Sequence, residues 1–104
     1  MNSGWTVIVT AAALLPVAAH AQGQEALNVR SLAATCAACH GTDGRAVGDA
    51  SVPALAGLPR ELLATQLRAF KAGTRPSTIM TQLSKGFSES QIDQLAAYFS
   101  AQKP

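Results

Sequence analysis

The chain has 104 residues, of which 48% are hydrophobic and only 5% aromatic, with a formal net charge of +2. That size suits one domain with a modest core. The near-neutral balance, with no cluster of Lys or Arg and no aromatic platform, argues against a nucleic-acid partner held by a basic field.

At the N-terminus, Trp5 to Ala19 is an apolar stretch and Ala19-His20-Ala21 is a small-x-small site. This pattern predicts a secretory signal peptide over residues 1–21, cleaved after Ala21, and a mature domain over residues 22–104. Two features depart from the usual signal: Met1-Asn2-Ser3-Gly4 contains no Lys or Arg, and Pro16 interrupts the stretch. An uncleaved anchor is the rival reading, but roughly 15 apolar residues fall short of the ~20 needed to span a bilayer. A buried first helix is disfavoured because Gln22-Gly23-Gln24-Glu25 follows at once. No stable membrane insertion is expected after cleavage, and no cysteine sits there to carry a lipid.

The first helix of the domain is predicted from about Leu27 to Cys39, with Val29, Leu32, Ala33 and Cys36 at helical spacing. At its end, Cys36-Ala37-Ala38-Cys39-His40 spells C-x-x-C-H, the attachment motif of a c-type haem. Two thiols add across the two vinyl groups of one porphyrin, so they must lie a short, fixed distance apart. A helical turn ending at Gly41 sets Cys36, Cys39 and His40 on one face. A redox disulfide belongs beside a βαβ pattern, which is missing, and zinc needs more ligands than the motif supplies. Beyond residue 21, the chain has no other cysteine, one histidine (His40) and one methionine (Met80). Two thiols, an imidazole and a thioether are the set that attaches one haem and ligates its iron on both sides.

Gly41-Thr42-Asp43-Gly44 reads as a turn, and a long loop follows through Gly48 and Pro53 to Gly57. A second helix opens at Pro59, carries Leu63, Leu67 and Phe70 on one face, and stops at Gly73. Thr74-Arg75-Pro76 is a turn, and Ser77 to Lys85 is a short helix ending at Gly86. The last helix starts at Ser88 with a capping box to Gln91, and Ile92, Leu95, Ala96 and Phe99 form its apolar stripe. No segment alternates like a strand, so the fold class is all-α. Leu55, Leu67, Phe70 and Ile79 are expected to line the haem pocket, where core and cofactor wall coincide. A porphyrin would supply the bulk that four aromatic residues (Phe70, Phe87, Tyr98, Phe99) leave wanting.

With these marks in place, the chain resembles the class I c-type cytochromes over nearly the whole mature length. Cys36-Ala37-Ala38-Cys39-His40-Gly41, Pro53-Ala54-Leu55-Ala56-Gly57, Met80 and Leu95-Ala96-Ala97-Tyr98-Phe99 carry the resemblance in that order. It implies about four short helices and Gly/Pro-rich loops wrapped around one covalent haem c, bound at Cys36 and Cys39. It implies His40 and Met80 as the axial iron ligands; a lone methionine is more often core filler. It points to the Pro53 carbonyl as the acceptor for the second ring nitrogen of His40. It also has Leu32 and Tyr98 packing where the terminal helices cross.

The function implied is electron transfer in the periplasm, where such haem is attached, with iron cycling between Fe(II) and Fe(III) and no catalysis by the chain itself. Phe70 through Met80 is most similar to the cytochrome subunit of flavocytochrome c sulfide dehydrogenase, which makes a flavoprotein subunit the alternative partner. A single C-x-x-C-H holds one haem, however. A gas sensor with an open distal face is the third reading, and Met80 and the early motif oppose it. Arg60, Arg75 and Lys85 are candidates for the haem propionates or for an acidic patch on a redox partner, although solvated surface charge is the commoner role. Ser77, Thr78 and Thr81 flank Met80 as further propionate candidates. Ala37 and Ala38 leave the thioether edge open to a partner.

Overall fold

A computed structural model describes residue 1, residues 15–48 and residues 51–104. Trp5 to Leu14, most of the apolar stretch, lies outside the described residues. Five α-helices are described: α1 (Leu15–Ala34), α2 (Ala37–His40), α3 (Arg60–Ala72), α4 (Ile79–Lys85) and α5 (Glu89–Ser100). A 3-10 turn at Thr42–Gly44 follows α2. There is no strand among the described residues, as the sequence predicts.

The first helix differs from expectation at both ends. It starts before Leu27 and stops at Ala34, so the stretch from Leu27 to Cys39 is not one helix. Thr35 causes the break: its hydroxyl donates to the Leu32 carbonyl at 2.7 Å and its amide donates to the same oxygen at 3.2 Å. A threonine that bonds back to its own turn competes with the helical ladder. At the other end, residues 18–28 are exposed throughout, and from residue 18 onward Val29, Leu32 and Ala33 are the positions of α1 that turn toward the protein. Gln22 to Asn28 offers no apolar stripe, so that part of the helix has nothing to bury.

The core consists of Ala33 from α1, Leu63 and Ala64 from α3, and Ile92, Leu95, Ala96 and Phe99 from α5. Leu32 and Tyr98 pack partly buried against it. Alanine at Ala33, Ala64 and Ala96 lets three helices approach closely, because interaxial distance follows side-chain size. The stops read from the sequence act as expected. Gly73, at φ 76°, closes α3 by donating its amide to Phe70. Ser88 opens α5 with reciprocal bonds to Gln91 of 3.1 and 2.9 Å. Pro59 sits one position outside α3, which begins at Arg60. Arg68 of α3 bridges Glu89 at 2.8 Å and Asp93 at 2.7 Å on α5. The Lys71 ammonium donates to the Phe87 carbonyl between α4 and α5. These ties fix α3 against α5, and both helices wall the cavity described next.

Candidate functional site

The break at Thr35 gives the cysteine motif its own helical turn. Cys36 takes the N-cap position of α2, and its carbonyl accepts the amides of Cys39 at 3.3 Å and His40 at 2.9 Å. Gly41 ends the turn at φ 82°. A Cβ there would lie 1.9 Å from the Arg45 carbonyl oxygen, so only glycine fits. Cys36, Cys39 and His40 all face one cavity. Cys36 is half-buried and Cys39 exposed. Burial pushes the Cys36 thiol up from its ordinary value, against the lowering influence of the Thr35 hydroxyl.

His40 Nδ1 lies 2.7 Å from the Pro53 carbonyl oxygen. A carbonyl can only accept, so Nδ1 carries the proton, and the lone pair of the neutral ring is on Nε2. The ring is thereby held in the tautomer that can ligate a metal through Nε2.

The cavity measures about 760 Å³, within the ~300–1,000 Å³ usual for cofactor sites. Its walls include Pro53 and Leu55 from the loop before α3, Leu67 and Phe70 from α3, and Ile79 and Met80 from α4, with Leu95 and Phe99 of α5 behind. Every pocket residue expected from the sequence borders this one space. Met80 is half-buried in the first turn of α4. Its amide donates to Ser77 Oγ at 3.1 Å, the three-residue reach of an N-cap. Ser77 also lines the cavity, whereas Thr78 and Thr81 do not.

Among the three basic candidates, Arg75 alone lines the cavity; Arg60 and Lys85 do not. The Arg75 guanidinium lies 4.7 Å from the centre of the Phe70 ring and donates to Gln66. Sequence reasoning missed Leu58, Leu62, Leu83 and Phe87, which complete the apolar wall. Leu62 lies one position off the Leu63–Leu67–Phe70 stripe, so helical spacing alone gives it no signal. Leu62, Ile79 and Leu83 are also 44%, 64% and 53% exposed, which marks the cavity mouth.

The donor set fits a covalently held haem. Two thiols stand one helical turn apart, an imidazole and a thioether border the same space, and the remaining wall is apolar enough for a flat aromatic macrocycle. A bare metal ion has less to hold it: among the described residues no three His, Cys, Asp or Glu side chains cluster as a metal site.

The family model for cytochrome c matches residues 26–103 of the chain. Similar curated proteins include a thiosulfate dehydrogenase electron acceptor of Thiomonas intermedia (strain K12), 46% identical over 72 residues, which covers 69% of this chain and 33% of that protein. Cytochrome c4 of Azotobacter vinelandii is 39% identical over 95 residues, covering 83% of this chain and 44% of the relative. The cytochrome subunit of sulfide dehydrogenase of Chlorobaculum tepidum is 40% identical over 68 residues, covering 65% of this chain and 60% of the relative. The chain thus spans between about a third and three-fifths of the length of these relatives.

Proposed function

This chain belongs to the cytochrome c family, whose members bind covalently attached haem c and carry electrons, and from that premise we propose a periplasmic, one-haem electron carrier with His40 and Met80 as axial ligands. Cys36 and Cys39 would hold the group through two thioethers. Bound there, haem c supplies one-electron Fe(II)/Fe(III) chemistry. The observation that carries this reading is His40 with its Nδ1 hydrogen committed to Pro53, bordering the same cavity as Met80 and both thiols.

The residues of the chain have distinct tasks. Pro53 fixes the His40 tautomer and raises the basicity of Nε2. The thioether of Met80 is a softer donor than a second imidazole and favours the reduced state. Leu55, Leu67 and Phe70 exclude water, which makes an added positive charge costlier. With His40 and Met80 both holding the iron, the group would supply electron transfer without a free site for substrate, which suits a carrier. Ala37 and Ala38, at the motif, are small enough to let a redox partner approach.

Residues 1–21 are read as a leader removed after Ala21. The apolar stretch from Trp5 to Ala19 and the small-x-small site Ala19-His20-Ala21 support it. A second reading, the cytochrome subunit of a flavocytochrome c sulfide dehydrogenase, is favoured by the 40% identity to a protein of that name.

Size-exclusion of the native protein with full spectra separates the two. A small haem peak without flavin supports the free carrier; co-elution with flavin at a much larger mass replaces it with the subunit. For the ligands, Met80→Ala should give high-spin or water-ligated iron and a lower reduction potential. An unchanged low-spin spectrum would remove Met80 from the assignment.

A further inference from the structure

Asp43 has a position unlike that of any other described residue. It is the one non-glycine with positive φ among them, at 53°, between Gly41 at φ 82° and Gly44 at φ 74°. Such a backbone persists only where its surroundings hold it. Here both carboxylate oxygens are engaged. The Tyr98 hydroxyl donates to Oδ1 at 2.6 Å, and Arg45 Nη1 donates to Oδ2 at 3.3 Å. Arg45 Nε in turn donates to the Lys103 carbonyl at 2.8 Å. Helix α5 and the segment after it therefore grip the turn that follows His40.

The turn presents Gly44 to the opposite loop. The Gly44 carbonyl accepts the amides of Leu55 at 2.8 Å and Ala56 at 3.1 Å. A Cβ on Gly44 would come within 2.8 Å of Phe99 and 2.9 Å of Leu55, so the approach is close. Two residues before Leu55 stands Pro53, whose carbonyl accepts from His40. One end of the His40–Pro53 bond thus sits directly ahead of the turn, and the other end hangs from it.

We propose that Asp43 is a positioning residue for His40: clasped by Tyr98, it sets the spacing between the His40 ring and the Pro53 carbonyl, and so the donor strength of Nε2. This rests on the reading of His40 as an iron ligand. A shorter Nδ1–H···O bond makes the imidazole a stronger donor and favours the oxidised state. Loosening the clasp weakens that bond and raises the reduction potential.

The test uses the haem-loaded protein with two readouts: the midpoint potential, and the NMR resonance of the His40 Nδ1 hydrogen in the reduced state. Tyr98→Phe and Asp43→Ala should each raise the potential and move the resonance upfield. Asp43→Asn keeps an oxygen acceptor for Tyr98 and tolerates left-handed backbone, so it should restore most of both. The carboxylate charge alone predicts another pattern: Asp43→Asn shifts the potential as far as Asp43→Ala, and Tyr98→Phe leaves potential and resonance unchanged. That pattern, or a silent Tyr98→Phe by itself, overturns the proposal while the carrier reading stands. A wild-type protein without covalent haem, or without histidine-ligated iron, overturns both.

Discussion

Ser84 on α4 is fully buried, at 0% exposure, and its Oγ has no hydrogen-bond partner among the described residues. A buried hydroxyl left unpaired costs about 1–3 kcal/mol relative to one in water. Ser84→Ala removes that cost and adds a few tenths of a kcal/mol in helix propensity, since Ala is the better helix former. The void left by one oxygen takes part of this back, so the expected gain is about 1–2 kcal/mol. For a domain of this size each kcal/mol moves Tm by roughly 4–8 °C, which predicts a rise of about 5–15 °C. Thermal and urea unfolding of the oxidised, haem-loaded protein, followed by circular dichroism, would measure it. The urea slope should stay constant, so that a shifted midpoint reports stability and not a changed unfolded state. Ser84→Val is the counter-variant: extra methyl groups in a filled site cost about 1–3 kcal/mol, so its Tm should fall. A Tm for Ser84→Ala that is unchanged or lower, at constant slope, would show that the hydroxyl is satisfied in solution and would refute the reasoning. Because α4 also carries Met80, the two variants should move the loss of any Met80 ligation in the same order as Tm.

Gly41→Ala should abolish most of the folded, haem-bearing protein, because its Cβ meets the Arg45 carbonyl oxygen at 1.9 Å on a backbone at φ 82° and ψ 163°. That collision comes on top of the ~1–3 kcal/mol cost of a glycine-only conformation; a normal yield and Tm would contradict it. The hydrogen bond from Tyr98, followed by the charge of Arg45, holds the Asp43 carboxyl below the usual carboxylate range, and Asp43 raises the Tyr98 hydroxyl in return. A depressed folded-state value gives stability that is present above the unfolded carboxylate value and lost as pH falls through the folded one. A raised folded-state value gives stability that is present below the unfolded tyrosine value and lost as pH rises through the folded one. The Tm advantage of wild type over Tyr98→Phe should therefore be full at neutral pH and shrink at both extremes. An advantage that persists in strong acid would contradict the assignment.

The helical class and three of the five helices follow from local chemistry. Gly73 and Gly86 mark the ends of α3 and α4, and the Ser88–Gln91 box opens α5. These signals act within one turn, so a linear reading can find them. The cysteine motif is equally local, and its spacing by itself puts Cys36, Cys39 and His40 on one short turn. The break at Thr35 escaped the periodicity because the apolar spacing runs through it unchanged; a single side-chain bond to Leu32 ends the helix.

Other features depend on how the helices cross. That Leu58, Leu62, Leu83 and Phe87 share a cavity with Met80 follows from the packing of α3, α4 and α5, not from any spacing along the chain. The choice of Arg75 over Arg60 and Lys85 as the basic residue at the cavity is likewise a matter of where the turn after α3 lies. The Tyr98–Asp43 clasp joins residues 55 positions apart, and no local preference of either residue encodes the other. The sequence by itself determined α3, α4 and α5, the stops between them and the cysteine motif, because these depend on short-range geometry. Only the tertiary structure decided which groups meet, because contacts between distant residues form when buried faces pack against each other.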